Sequence, residues 1–207
     1  MSDNREAQFE RKSKETHITA NLNIDGTGQT SIKTNIGFLD HMLELFAFHG
    51  YFDLSLEVKR GDFEIDIHHT NEDIGIVLGK LFKKALDEMM GIRRYGTASA
   101  PMESTLGTAV VDICGRGHDH LLIGDQGVSY PNIRDEDGYN IHYLEHFLES
   151  FAKNLGATIH LYIKNPTEDL HTDVECCFKA LGLALDHATQ MDPRRQSEVP
   201  STKGIID

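Results

Sequence analysis

The chain is short of several things that define large protein classes. It has only 3 cysteines, Cys114, Cys176 and Cys177, too few for a disulfide framework. Two of them are adjacent in a helical pattern, where packing is their ordinary role. A reducing, cytoplasmic setting is therefore expected. No apolar run approaches the roughly 20 residues of a membrane span. The opening stretch MSDNREAQFERKSKET is polar and lacks the apolar core of an export signal. Positive charge is scarce too: 20 Lys+Arg stand against 33 Asp+Glu, for a net charge of −13. That balance argues against nucleic acid or an anionic membrane as the main partner. No proline- or serine-rich linker or low-complexity tract interrupts the sequence. With 39% apolar and 26% charged residues the composition is that of a globular protein. The 207 residues suffice for one large domain or two small ones. What the chain has in quantity is histidine, 12 residues in all.

Hydrophobic periodicity alternates strands with helices. Residues 17–24 alternate apolar and polar, as a half-buried strand does. Asp25-Gly26-Thr27-Gly28 reads as a hairpin-type turn before a short strand near 30–34. An apolar stripe at helical spacing covers 38–49. Strands are expected at 52–59 and 62–67, joined by Arg60-Gly61, and a long helix over 71–90. In the second half, strands are expected at 95–102, 107–113 and 119–124, and a Gly/Pro/Asn/Asp-rich loop over 125–138. A helix over 140–154, a strand over 157–163 and a helix over 172–190 complete the chain.

The two halves also repeat chemistry. Leu39-Asp40-His41-Met42 lies on an expected helix, and 27 residues beyond His41 comes His68-His69-Thr70-Asn71-Glu72. Leu144-Glu145-His146-Phe147 lies on another, and 25 residues beyond His146 comes His171-Thr172-Asp173-Val174-Glu175. Each His-bearing turn opens a buried helix, where His and Glu three or four apart share a face. Adjacent histidines cannot point the same way, so His68 and His69 imply two ions or two walls of one pocket. Imidazole and carboxylate ligands suit Mn²⁺, Fe²⁺ or Zn²⁺. Of eight equivalent slots (41, 68, 69, 72 and 146, 171, 172, 175), seven hold His or Glu and the eighth holds Thr172. Isolated histidines at 17, 49, 142, 160 and 187 read as ordinary core or surface residues.

In so acidic a chain, basic residues beside Gly, Ser or Thr stand out. They are Arg93-Arg94 between Gly91 and Gly96, Arg116 between Gly115 and Gly117, Lys179 four residues after Glu175, and Lys203 in Pro200-Ser201-Thr202-Lys203-Gly204. Arg, Lys, hydroxyls and backbone N–H groups are what a phosphate monoester needs; solvated surface charge is the plainer reading of any one alone.

These residues together resemble the imidazole glycerol-phosphate dehydratase family of histidine biosynthesis. The resemblance runs from about Arg11 to the end. It rests on Lys14-Glu15-Thr16, Asn23-Ile24-Asp25-Gly26-Thr27-Gly28, Phe38-Leu39-Asp40-His41-Met42-Leu43 and His68-His69-Thr70-Asn71-Glu72-Asp73. Further matches are Gly91-Ile92-Arg93-Arg94-Tyr95-Gly96, Asp112-Ile113-Cys114-Gly115-Arg116, Phe178-Lys179-Ala180-Leu181 and Pro200-Ser201-Thr202-Lys203-Gly204. It implies an α/β (α+β) fold of two repeated half-domains, 8–93 and 94–191, with a phosphate-binding tail at 192–207. Each half-domain would be a four-stranded sheet backed by two helices, as in the ribosomal protein S5 domain 2-like group. It also implies a homo-oligomer of 24 subunits with Mn²⁺ between subunits, two ions per subunit.

By the same resemblance the metal ligands are His41, His68, His69, Glu72, His146, His171 and Glu175. The phosphate contacts are Arg94, Arg116, Lys179, Ser201 and Lys203. Glu15 is the acid/base of a reacting centre that also includes His41, His69, Glu72, His171 and Glu175. The implied reaction converts imidazole glycerol phosphate to imidazole acetol phosphate and water. The proton lost lies on a carbon that no carbonyl activates. The ring, held as imidazolate by Lewis acids on its two nitrogens, can expel the hydroxyl to give a diazafulvene-like intermediate. A carboxylate then removes the acidified proton, and the enol relaxes to product.

Several positions depart from the family pattern. Thr172 stands where the second His of the second pair is usual, Glu103-Ser104 where Asp-Glu is usual, Gly117 where Pro follows the Arg, and Ile67 where an acidic residue precedes the His pair. The expectation is a family-like fold with one metal site weakened at Thr172. Two rival readings are a divergent homologue that keeps the metal-bound shell with reduced or lost turnover, and a dinuclear metallohydrolase of a small phosphate ester.

Overall fold

The computed structural model describes residues 5–124, 138–167 and 169–206. The first half contains β1 (Glu6–Lys12), β2 (His17–Asn23), β3 (Thr30–Lys33), α1 (Gly37–His49), β4 (Asp53–Arg60) and α2 (His68–Leu86). The second contains β5 (Tyr95–Met102), β6 (Thr105–Asp112), β7 (His118–Ile123), α3 (Ile141–Leu155), β8 (Thr158–Lys164) and α4 (Leu170–Thr189). The strands form two four-stranded sheets, ordered β1-β2-β4-β3 and β5-β6-β8-β7. In each the last pair is parallel and the others antiparallel. The two halves are thus the same topology twice, a mixed α/β fold as expected.

Three expectations for the first sheet need correction. Asp25-Gly26-Thr27-Gly28 does not close a hairpin, because β3 is not paired with β2 but lies beside β4 and parallel to it. Residues 62–67 are not a strand. Their alternation is that of a surface turn, with Ile65 75% and Phe63 38% exposed. Side-chain hydrogen bonds hold this backbone instead of a ladder: the Asp62 N–H donates to Thr70 Oγ1 at 2.9 Å and the His68 N–H to Asp66 Oδ1 at 2.6 Å. Asp competes in this way with regular structure. The fourth strand is β1, in a stretch read only as a polar terminus. It is an edge strand pairing antiparallel with β2, with Ala7 buried and Phe9 packed on the core. One face open to water leaves few apolar residues to betray it. The long helix also starts earlier than its apolar stripe, at His68, and ends at Leu86. The loop expected at 125–138 lies outside the described residues except for Gly138.

The helices decide where the histidines meet. Those of the two halves pack across the repeat, α1 on α4 and α2 on α3, over one continuous apolar core. Glycines set how closely they approach. A Cβ at Gly182 of α4 would lie 2.3 Å from the Phe46 carbonyl oxygen of α1, and one at Gly79 of α2 would lie 2.6 Å from the Phe151 carbonyl oxygen of α3. Backbone-to-backbone contact therefore joins each helix pair, so residues near the helix starts are brought together from opposite halves. No helix among the described residues is long and apolar enough to cross a membrane.

Candidate active site

Two clusters of imidazole and carboxylate result, each built across the repeat. In the first, His171 and Glu175 share a face of α4 one turn apart, and His41 reaches them from α1. His41 Nε2 lies 3.1 Å and His171 Nε2 3.0 Å from the same oxygen, Glu175 Oε2. The two rings stand 5.2 Å apart, centroid to centroid. The second Glu175 oxygen takes the Lys179 ammonium, one turn further along α4. Burial pushes the Glu175 carboxyl up, but its bonds to Lys179 and His41 outweigh burial and hold it below the usual range. In the second cluster, His68 and Glu72 share a face of α2 and His146 reaches them from α3. His146 Nδ1 lies 3.1 Å from His68 Nε2, and His68 Nε2 lies 3.9 Å from Glu72 Oε2.

The donor sets fit a divalent metal. Nitrogen and oxygen ligands at about 2.0–2.2 Å from one ion stand roughly 3–3.5 Å from one another. In the first cluster both imidazole nitrogens have this spacing to Glu175 Oε2, at 3.1 and 3.0 Å, and all three ligand atoms lie within 4.8 Å of one another. The second has it between the two imidazoles, with Glu72 slightly farther.

His69 does not join its neighbour. Its ring stands edge-on to that of His68, perpendicular at 89° with centroids 5.5 Å apart, and its polar contact lies elsewhere. Its Nδ1 lies 2.9 Å from Asp62 Oδ2. Glu15 completes a separate, mainly exposed group with Asp62 and His69, their ligand atoms within 4.8 Å of one another. The hydrogen bond that His69 donates to Asp62 raises the basicity of His69. The turn bearing Glu15 is fastened to α2 next to Glu72: the Thr16 hydroxyl donates to Asp73 Oδ2, and Arg11 Nη2 lies 2.8 Å from Asp73 Oδ1. Asp62 and Asp73 were missed by the sequence reading, Asp62 because its segment looked like a strand. The clue for Asp73 is a carboxylate at a core-facing position of a helix, which needs a partner.

Thr172, the repeat counterpart of His69, is buried and turned into its own helix end. Its hydroxyl donates to Asp169 Oδ2 at 2.7 Å. The other Asp169 oxygen caps α4 by accepting from the His171 N–H at 3.1 Å.

The basic residues divide. Lys179 belongs to the first cluster. Arg94 forks onto Asp112, with Nε and Nη2 at 2.6 and 3.1 Å from its two carboxylate oxygens, and its Nη1 donates to the Pro200 carbonyl at 3.0 Å. It thereby holds the start of the 200–204 loop, where the Lys203 N–H donates to Ser201 Oγ at 3.2 Å. Arg94 does this from a left-handed backbone, φ +73°, an uncommon conformation for a residue with a side chain. Lys203, and Arg116 in the β6–β7 link, are exposed.

Comparison with known proteins fits this arrangement. The family model described as imidazoleglycerol-phosphate dehydratase matches residues 34–185. The chain belongs to the imidazoleglycerol-phosphate dehydratase family. It is 48% identical over 202 residues to the family member of Pelobacter propionicus, covering 98% of this chain and 99% of that protein. It is 47% identical to that of Geobacter metallireducens, over 98% and 99% of the two chains. Among solved structures of the family, the Pyrococcus furiosus protein superposes with a TM-score of 0.77 at 35% identity, covering 95% of this chain and 99% of that one. The Staphylococcus aureus protein superposes with a TM-score of 0.76 at 30% identity, over 90% and 99%. These family members share the two-sheet fold of this chain.

Proposed function

We propose that this chain is a hydro-lyase that dehydrates imidazole glycerol phosphate to imidazole acetol phosphate in histidine biosynthesis, with Mn²⁺ at two centres. The observation that carries the reading is the pair of cross-repeat clusters, His41/His171/Glu175 and His68/Glu72/His146. Each combines two imidazoles with a carboxylate. Bound divalent ions supply Lewis acidity, which favours the anionic form of an imidazole ring. The substrate ring has two nitrogens, and the chain has two clusters to match.

The remaining roles fall to side chains. Glu15 removes the side-chain proton once the hydroxyl has left. It stands apart from both clusters of its own chain, beside the outward-facing His69. A second copy is therefore expected to bring this group and a metal cluster together, in keeping with a homo-oligomeric shell of 24 subunits in the cytoplasm. Lys179, beside the first cluster, leads the phosphate clamp with Arg94, Arg116, Ser201 and Lys203. Binding energy from the phosphate, remote from the reacting carbons, positions the chain of the substrate. Thr172 leaves the outward position of the second half without an imidazole, so one centre is the weaker.

Turnover of imidazole glycerol phosphate with added Mn²⁺, compared with Glu15→Gln, tests the reading. Product from the unaltered chain, none from the variant and no free phosphate are expected. Phosphate release would turn the reading toward hydrolysis, and lack of product over a wide range of Mn²⁺ toward a divergent homologue with lost activity.

A further inference from the structure

A third group of histidines lies far along the fold, on the open face of the second sheet. Strands β7 and β8 run parallel with His120 directly opposite His160. On β8, Ile159, Leu161 and Ile163 are buried on one face, and alternation puts His160 and Tyr162 on the other. The same alternation puts His118 beside His120 on edge strand β7. The His120 and His160 rings stand 5.1 Å apart, against 5.2 Å for His41 and His171 in the first metal cluster. Two imidazoles on one tetrahedral ion, with nitrogens about 2.0–2.1 Å from it, place their centroids roughly 5 Å apart.

We propose that His120 and His160 form a separate two-imidazole divalent-cation site for an imidazole-seeking ion of the Zn²⁺ type, with His118 one pleat away on the same face of β7. His160 is prepared for this. Its Nδ1 lies 3.0 Å from the Tyr162 hydroxyl. With Nδ1–H donating there, Nε2 keeps its lone pair for a metal, the usual arrangement of a ligating histidine and its outer partner. Burial, and then the neighbouring His120 and His118, lower the basicity of His160. The site differs from the two clusters above in chemistry. On strands β7 and β8, among the described residues, its donors are imidazoles, since Asp119 alternates to the other face, toward Glu149 and Lys153 of α3. Such a donor set favours Zn²⁺, Ni²⁺ or Cu²⁺ over Mn²⁺, which prefers oxygen. A bound ion would clip edge strand β7 to β8, with water completing the coordination.

Zinc uptake by the full-length protein preloaded with Mn²⁺, read by elemental analysis after gel filtration, tests this. The unaltered chain is expected to take up one zinc per chain without releasing manganese. His120→Ala and His160→Gln should each take up at least about tenfold less at the same free zinc while holding the same manganese. Two variants guard against one that fails to fold. Zinc gained only in exchange for manganese, or equal zinc in either folded variant and the unaltered chain, overturns the proposal.

Discussion

His41 and Glu175 are 134 residues apart in sequence and belong to opposite halves of the repeat, yet His41 Nε2 lies 3.1 Å from Glu175 Oε2. Neither half alone contains a complete cluster. The α1–α4 contact makes the first cluster, and the α2–α3 contact makes the second, with His146 in the role of His41. Duplication of one βββαβα unit thus produces two related centres by cross-pairing its two helix types.

Cross-pairing has a direct consequence for metal stoichiometry. His41→Ala should remove Mn²⁺ from the first centre only, and His146→Ala from the second only. At saturating Mn²⁺ each variant is expected to fall from two bound ions per chain to one, and the double variant to none, by electron paramagnetic resonance of free Mn²⁺. Loss of both ions in either single variant would mean that the clusters are one coupled site.

Asp62 holds His69 by its Nδ1, which leaves Nε2 open for the ligand role proposed for this residue. Partners of this kind are worth about 10–100-fold in metal affinity or activity. Asp62→Ala should weaken Mn²⁺ binding within that range. Asp62→Asn should cost less, because the amide oxygen can still accept from Nδ1–H. Mn²⁺ titrations of the two variants check the order; equal affinities for Asp62→Ala and the unaltered chain would remove Asp62 from the site.

How much of this was legible before the fold was known depends on the residue. The repeat of His and Glu at matched intervals exposed six cluster members, because helical spacing fixes which residues share a face. It also showed that His68 and His69 must diverge. It did not show that the partner of His41 comes from the other half, since that follows from helix packing set by Gly79 and Gly182, not from local pattern. Strand β1 was hidden because an edge strand with one wet face carries few apolar residues, while Phe63 and Ile65 imitated a strand on the surface. Asp62 and Asp73 were hidden because their importance lies in long-range hydrogen bonds.

Gly182→Ala should destabilise the fold although alanine is the better helix former. The helix gain is about 1 kcal/mol. Against it, the new Cβ would sit 2.3 Å from the Phe46 carbonyl oxygen, and backbone cannot rotate out of the way as a side chain can. Overpacking of this kind costs typically about 1–3 kcal/mol, so a net loss is expected, with weaker Mn²⁺ retention at the first centre. The urea midpoint is the measurement; an unchanged or raised midpoint would mean that α1 and α4 separate freely.

Thr16→Val isolates the placement of Glu15. It keeps the shape of the side chain but removes the hydroxyl that donates to Asp73. Misplacing a reacting group by about 1 Å can cost on the order of 100-fold in rate. A clear fall in kcat is expected, with KM and manganese content unchanged. A fall in manganese content instead would place the effect at Glu72, the neighbour of Asp73 on α2.

Thr172 is the position where the repeat is broken, and restoring it should act on one centre. In the first half the outward position holds His69, which Asp62 orients. In the second it holds a hydroxyl committed to Asp169, whose carboxylate also caps α4. Thr172→His restores the imidazole and releases one Asp169 oxygen, while the His171 N–H keeps the other. The cap therefore survives, so any loss of stability comes from fitting the larger ring at a buried position, where overpacking costs typically about 1–3 kcal/mol. Mn²⁺ affinity at the weaker centre should rise by about tenfold or more, with the other unchanged. Two-site Mn²⁺ binding curves that are already symmetric in the unaltered chain, or that stay unsymmetric to the same degree in Thr172→His, would contradict the assignment of Thr172 as the counterpart of His69.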